Sequence, residues 1–110
     1  MIQDVTSKIE RLEALEDRFG LSLSGLSAFY EQLRDDNNLT ISGDIHAKTG
    51  TTISQEICIQ FVAYDSSERV IGTAEMYISP LRFFGLDTFA ILIEPSVSDV
   101  AKIRIYPKKT

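Results

Sequence analysis

Residues 58–75 read CIQFVAYDSSERVIGTAE. An apolar run ends on Tyr64 and Asp65, passes two serines, and resumes at Val70. Ile57, Ile59, Phe61 and Ala63 alternate with Cys58, Gln60, Val62 and Tyr64. That period of two is the mark of a β-strand, because successive side chains leave opposite faces of the pleat. Asp65 bonds the backbone two residues on and so favours a tight turn. Tyr64 covers the sheet edge with its ring while its hydroxyl reaches water or an amide. After the turn, Val70, Gly72, Ala74, Met76 and Ile78 alternate with Arg69, Ile71, Thr73, Glu75 and Tyr77. Gly72 admits a bulge or the close crossing of another backbone.

The same period holds on either side. In LTISGDIHA, residues 39–47, Leu39, Ile41, Gly43, Ile45 and Ala47 share one face. Thr40, Ser42, Asp44 and His46 share the other. DTFAILIE and VAKIRIYP supply two more strands, and Pro80, Pro95 and Pro107 interrupt or close strands. Strands at near-regular spacing with no helices between them predict an antiparallel sheet, folded into a small sandwich that buries its apolar faces.

The first third reads differently. Ile2, Val5, Ile9, Leu12, Leu15 and Phe19 fall three or four apart, the spacing of one helical stripe, and Gly20 is placed to stop the helix. Leu26, Phe29, Tyr30 and Leu33 repeat the pattern, with Ser24 as a cap and Asn37–Asn38 as an exit turn. Two helices joined by a short link predict an antiparallel pair. The expected fold class is therefore α+β: a two-helix segment over 1–38, then an antiparallel immunoglobulin-like β-sandwich over 39–110. The helical segment is expected either to cover the sandwich core or to mediate oligomerisation.

FVAYD, Phe61 to Asp65, resembles the F-x-L-Y-D signature of the FxLYD domain family. The glycine-bearing strand ISGDI precedes it, and VIGT, DTFAILI and AKIRIYP follow in the family's order. The resemblance spans residues 39–107; Ala63 stands where the family has leucine, and SPLRFFGL replaces its usual proline-glycine loop. It implies a small bacterial β-sandwich acting as a scaffold or binding module, with no catalytic residues.

Composition narrows the chemistry. The chain has 110 residues and a net charge of −5. Residues 1–38 hold eight acids against four bases, and 39–110 hold eight against seven. An acidic surface repels phosphate, so nucleic acid is not an expected partner. No stretch of the sequence reads as a membrane span or an export signal. As written the chain reads as cytoplasmic; with an export signal trimmed away, it would be periplasmic or surface-bound.

A single histidine, His46, and a single cysteine, Cys58, give neither a metal cluster nor a disulfide. Cys58 sits in an apolar strand with no base beside it, which reads as an inert thiol. No nucleophile has both a base and an orienting group, so no enzyme, metal or cofactor is expected. The unusual loop is LRFFGLDTF, because loops are normally polar. Either its side chains tuck under the sandwich, or they form an apolar patch. The expected sites are protein-binding: Ile2, Val5, Ile9 and Leu12 on the helical stripe, and Phe83 and Phe84 on the loop. The expected function is a non-enzymatic interaction or scaffold module that binds a protein partner or a second copy of itself. A small acidic chaperone or assembly factor for an exported or appendage protein is the alternative, with an open sheet edge taking the client's strand.

Overall fold

The computed structural model describes residues 2–110. Eight strands form two four-stranded sheets packed face to face. Leu39–Ala47 and its neighbours behave as their period requires. Leu39, Ile41 and Ile45 are wholly buried, and the alternate residues stand on the outer face. This strand is β4.

The first sheet has the order β1-β3-β4-β7, with β1 Ile2–Asp4, β3 Leu21–Gln32 and β7 Leu86–Ile93. The second has the order β2-β8-β5-β6, with β2 Ile9–Arg11, β5 Ile57–Tyr64, β6 Val70–Ile78 and β8 Lys102–Lys109. The inner faces interlock around Leu23, Ile41, Ile59, Phe61, Ile103 and Ile105. The rings of Phe61 and Phe89 meet across the layers at 5.4 Å between centroids. That offset, tilted contact is the arrangement aromatic quadrupoles favour.

The α+β expectation is overturned: among the described residues there is no two-helix segment. Their one α-helix is α1, Glu13–Arg18, preceded by a single 3-10 turn at Thr6–Lys8. Gly20 does end α1, with φ +70°. The stripe from Ile2 to Phe19 is broken into four short elements. β1 pairs antiparallel with β3, the chain crosses the sandwich at Val5, and β2 pairs parallel with β8. Helix propensity is a weak prior, and the open edges of β3 and β8 offer these β-branched residues a ladder of hydrogen bonds instead.

The second expected helix is the long strand β3. Its period is two at each end: Leu21 and Leu23 are buried, then Ala28 and Tyr30. Between them the register against β4 shifts at Ser24/Ser27, a β-bulge in which Gly25 takes φ +59°. The extra residue moves the inward set by one position, and that slip imitates helical spacing. Opposite the bulge, Gly43 is obligatory. A Cβ there would lie 2.5 Å from Leu26 Cδ2 and 3.0 Å from Phe89 Cζ.

Residues 33–36 form the hairpin turn between β3 and β4, where the Leu33 N–H donates to the Asp36 carbonyl at 2.8 Å. Ten aligned pairs from Leu21/Ala47 to Gln32/Asn37 bind the two strands. The strand order also departs from the immunoglobulin-like expectation. A constant-type immunoglobulin sheet runs A-B-E-D, with the second strand beside the first and the fifth. Here β3 lies between β1 and its own successor β4.

Candidate functional site

The turn after β5 forms as its residues require. Asp65 Oδ1 accepts from the Ser67 and Arg69 N–H groups, both at 2.9 Å. Gly72 is pressed by Ile93, whose Cγ2 would lie 2.5 Å from a Cβ there, and a bulge falls at Ala63/Tyr64. The Tyr64 ring carries Lys102 Nζ at 4.8 Å and Arg104 Cζ at 5.4 Å. Arg104 in turn donates to Glu10 Oε1 at 2.8 Å.

β5 is buried on both faces, which alternation alone does not predict. Its outward residues Cys58, Gln60 and Val62 are covered by long side chains on the flanking strands. Lys108, Tyr106 and Arg104 stand opposite them on β8, and Tyr77 and Glu75 stand opposite on β6. Cys58 Sγ donates to Glu75 Oε2 at 3.3 Å, and the Tyr77 hydroxyl donates to the same oxygen at 2.8 Å. Burial pushes the Cys58 thiol up, and the Glu75 hydrogen bond adds to it. The Tyr77 hydrogen bond, then that of Cys58, hold the Glu75 carboxyl below the usual carboxylate range. A thiol raised in this way is a poor nucleophile.

His46 Nε2 lies 2.8 Å from Ser24 Oγ on the outer face of the first sheet. A serine beside an imidazole resembles half of a hydrolytic site. Asp44, the carboxylate nearest in register, instead accepts from Thr88 Oγ1 at 2.6 Å. Among the described residues, no group of three or more His, Cys, Asp or Glu side chains could hold a metal ion. No helix among them is long and apolar enough to cross a membrane.

The expected protein-binding residues separate. Val5 is 2% exposed and belongs to the core. Ile9 packs against that core from β2, and Leu12 is half-buried at the start of α1. Ile2 alone of the four is open to solvent, on β1. The stripe is therefore not a single surface.

The loop between β6 and β7 is the more coherent site. Ser79 organises its start: its carbonyl accepts from the Arg82 N–H at 3.1 Å and the Phe83 N–H at 3.0 Å. Its hydroxyl accepts from the Leu81 N–H at 3.2 Å. Phe83 is driven into the core, 2% exposed, whereas Phe84 is 78% exposed and Leu81 87%. Gly85, at φ +101°, lies close against Thr51, and its carbonyl accepts from the Ala47 N–H at 2.9 Å. The loop is thus pinned at both ends. It borders an open cleft of about 490 Å³ whose walls include Glu56, Tyr77, Leu81, Arg82 and Asp87. Apolar and charged groups converge there.

The sequence marked Phe83 and Phe84 together as protein-binding, but Phe83 belongs to the core and only Phe84 is exposed, and Tyr77 and Arg82 on the cleft wall were not singled out. Their signal was weak, because each lies in a different element and only the return of β6 into the loop brings them together. Comparison of the chain with protein-family models, with curated proteins and with solved structures gave no match.

Proposed function

We propose that this protein is a non-enzymatic interaction or scaffold module that docks a protein partner on the β6–β7 loop. The observation that carries the reading is the opposite fate of two adjacent rings. Phe83 anchors the loop in the core, and Phe84 is held out in water beside the exposed Leu81. Keeping a large apolar group in solvent on an anchored loop forgoes burial free energy of about 2 kcal/mol. A partner that covers Leu81 and Phe84 recovers it without first having to order the loop. The charged cleft wall, with Glu56, Asp87 and Arg82 among its residues, supplies a rim that selects among partners. The FxLYD resemblance over residues 39–107 supports the same class of role.

The test is site-specific cross-linking in the source cell. A photoreactive residue at position 84 is expected to give a discrete adduct with another protein. The same residue at Thr49, on the polar turn after β4, is expected to give none. Equal labelling from both positions, or none from position 84, overturns the reading.

A further inference from the structure

The four edges of the two sheets are not alike. β1 and β2 are three residues long, too short to template a further strand. β6 opens at a bulge, its Ile71 carbonyl already accepts from the Ser96 N–H at 2.8 Å, and Glu75 sits near its middle. Short length, bulges and charge are the usual means of blunting an edge. β7 is eight residues long, has no register shift against β4, and carries one charge, Asp87, next to its start. Its segment TFAILI, Thr88–Ile93, carries no charge, proline or glycine. Such a segment on an open edge is an association hazard unless something pairs with it.

The direction of its backbone groups can be read from the ladder. The Ala47 N–H donates to the Gly85 carbonyl, and this pair continues the β4–β7 register. In an antiparallel ladder, hydrogen-bonded residues recur at every second position. Asp87, Phe89, Ile91 and Ile93 therefore face β4. The N–H and C=O groups of Leu86, Thr88, Ala90 and Leu92 face away from it. The side chains of those four residues are also exposed on the outer face.

We propose that the occupant of this edge is a second copy of the chain, paired antiparallel through β7 about a two-fold axis at Phe89. The two first sheets then become one continuous sheet. The argument is self-complementarity. In this register Leu86 falls opposite the second copy's Leu92, and Thr88 opposite its Ala90. Asp87 falls opposite Ile91, so no charge meets its like. Leu86 and Leu92 are the two large apolar side chains that the sandwich leaves exposed on this strand. An isologous contact uses the same patch on both copies and leaves no open β7 edge, so growth stops at two. A foreign strand could meet the same backbone groups, but a second copy brings Leu86 and Leu92 together in both halves of the contact. The pairing is independent of the loop docking proposed above, since Leu81 and Phe84 lie outside β7.

The experiment is amide hydrogen exchange by NMR on the full chain, alongside light scattering over a broad range of concentration. The expected result is a dimer in which the Thr88, Ala90 and Leu92 amides are protected, with protection lost on dilution as the mass falls to that of one chain. Ala90→Pro removes an outward N–H and leaves the β4 ladder intact. It is expected to raise the dissociation constant at least about tenfold. Should that variant fold poorly, Ala90→Lys combined with Leu92→Lys places charge on the exposed face for the same effect. Phe84→Ser is expected to leave the dimer unchanged. A monomer at every concentration overturns the proposal. So does a dimer whose β7 amides exchange freely, or protection of those amides that requires an added foreign peptide.

Discussion

The two flanks of the sandwich are closed by different means. On the N-terminal flank, residues 2–11 cross from one sheet to the other and are tied mainly by polar contacts. Lys8 Nζ donates to the Val100 carbonyl at 2.8 Å, and Arg104 holds Glu10. Thr6 Oγ1 accepts from the Ala28 N–H at 3.0 Å. Behind them the buried Glu16 accepts from Arg11 at 2.7 Å and from the Leu23 N–H at 3.1 Å. On the opposite flank the loop after β6 is fixed by an aromatic wedge, Phe83, and its neighbours stay in water. A flank tied by satisfied polar groups can be built from three-residue strands and still be closed. A flank held by one wedge and the backbone hydrogen bonds at the loop's ends keeps exposed apolar surface beside it, which is where both proposed contacts fall.

Substitutions test that contrast in order of size. Phe83→Ala should cost about 3 kcal/mol in chemical denaturation, because it empties a core position and releases the loop. A cost well under that would mean the loop is not held by the wedge. Glu16→Ala should cost about 2 kcal/mol, since it strands the Leu23 N–H in the interior and leaves Arg11 without its partner. If Glu16→Gln restores most of the loss, the hydrogen bond to Leu23 outweighs the charge. Phe84→Ser should stay within about 0.5 kcal/mol of the parent, as expected for an exposed side chain, and its distance from Phe83→Ala is the sharpest measure of the difference between the rings. The smallest effect concerns pH. Hydrogen bonds from the Ser66 hydroxyl and N–H hold the Asp99 carboxyl below its ordinary range. Its stabilisation is therefore present above the unfolded-state value and lost as pH falls through the lower folded one. Asp99→Asn should lower the melting temperature slightly at neutral pH and leave the acid-side value nearly unchanged, so that the acid-side decline becomes shallower.

β4 was legible because it keeps an unbroken period of two, and β5 and most of β6 followed; the start of β6 did not, because the bulge at Ala63/Tyr64 leaves Val70 exposed and buries Ile71 instead. β3 was not legible. Its bulge at Gly25 and Leu26 shifts the phase midway, so Leu26, Phe29, Tyr30 and Leu33 read as a helical face although only Tyr30 of them is fully buried. The first stripe failed for a different reason. Ile2, Val5 and Ile9 are near one another in sequence but serve one sheet, the crossing and the other sheet in turn. No local pattern records that a chain changes sheets, because the partners, β3 and β8, lie far along the sequence. The loop was half legible: its apolar excess marked it, but which of two adjacent rings turns inward depends on Ser79 and the packing beneath.

Cys58 is the chain's single thiol, and it lies in the central strand β5 with its sulfur shielded by Glu75 and the strands on either side. Its rate of reaction with a small alkylating reagent is therefore a clock for the cover of side chains over the outer face of β5. That rate reports how often Glu75, Tyr77 and Lys108 swing aside from the thiol, and a partner seated on that face will slow it.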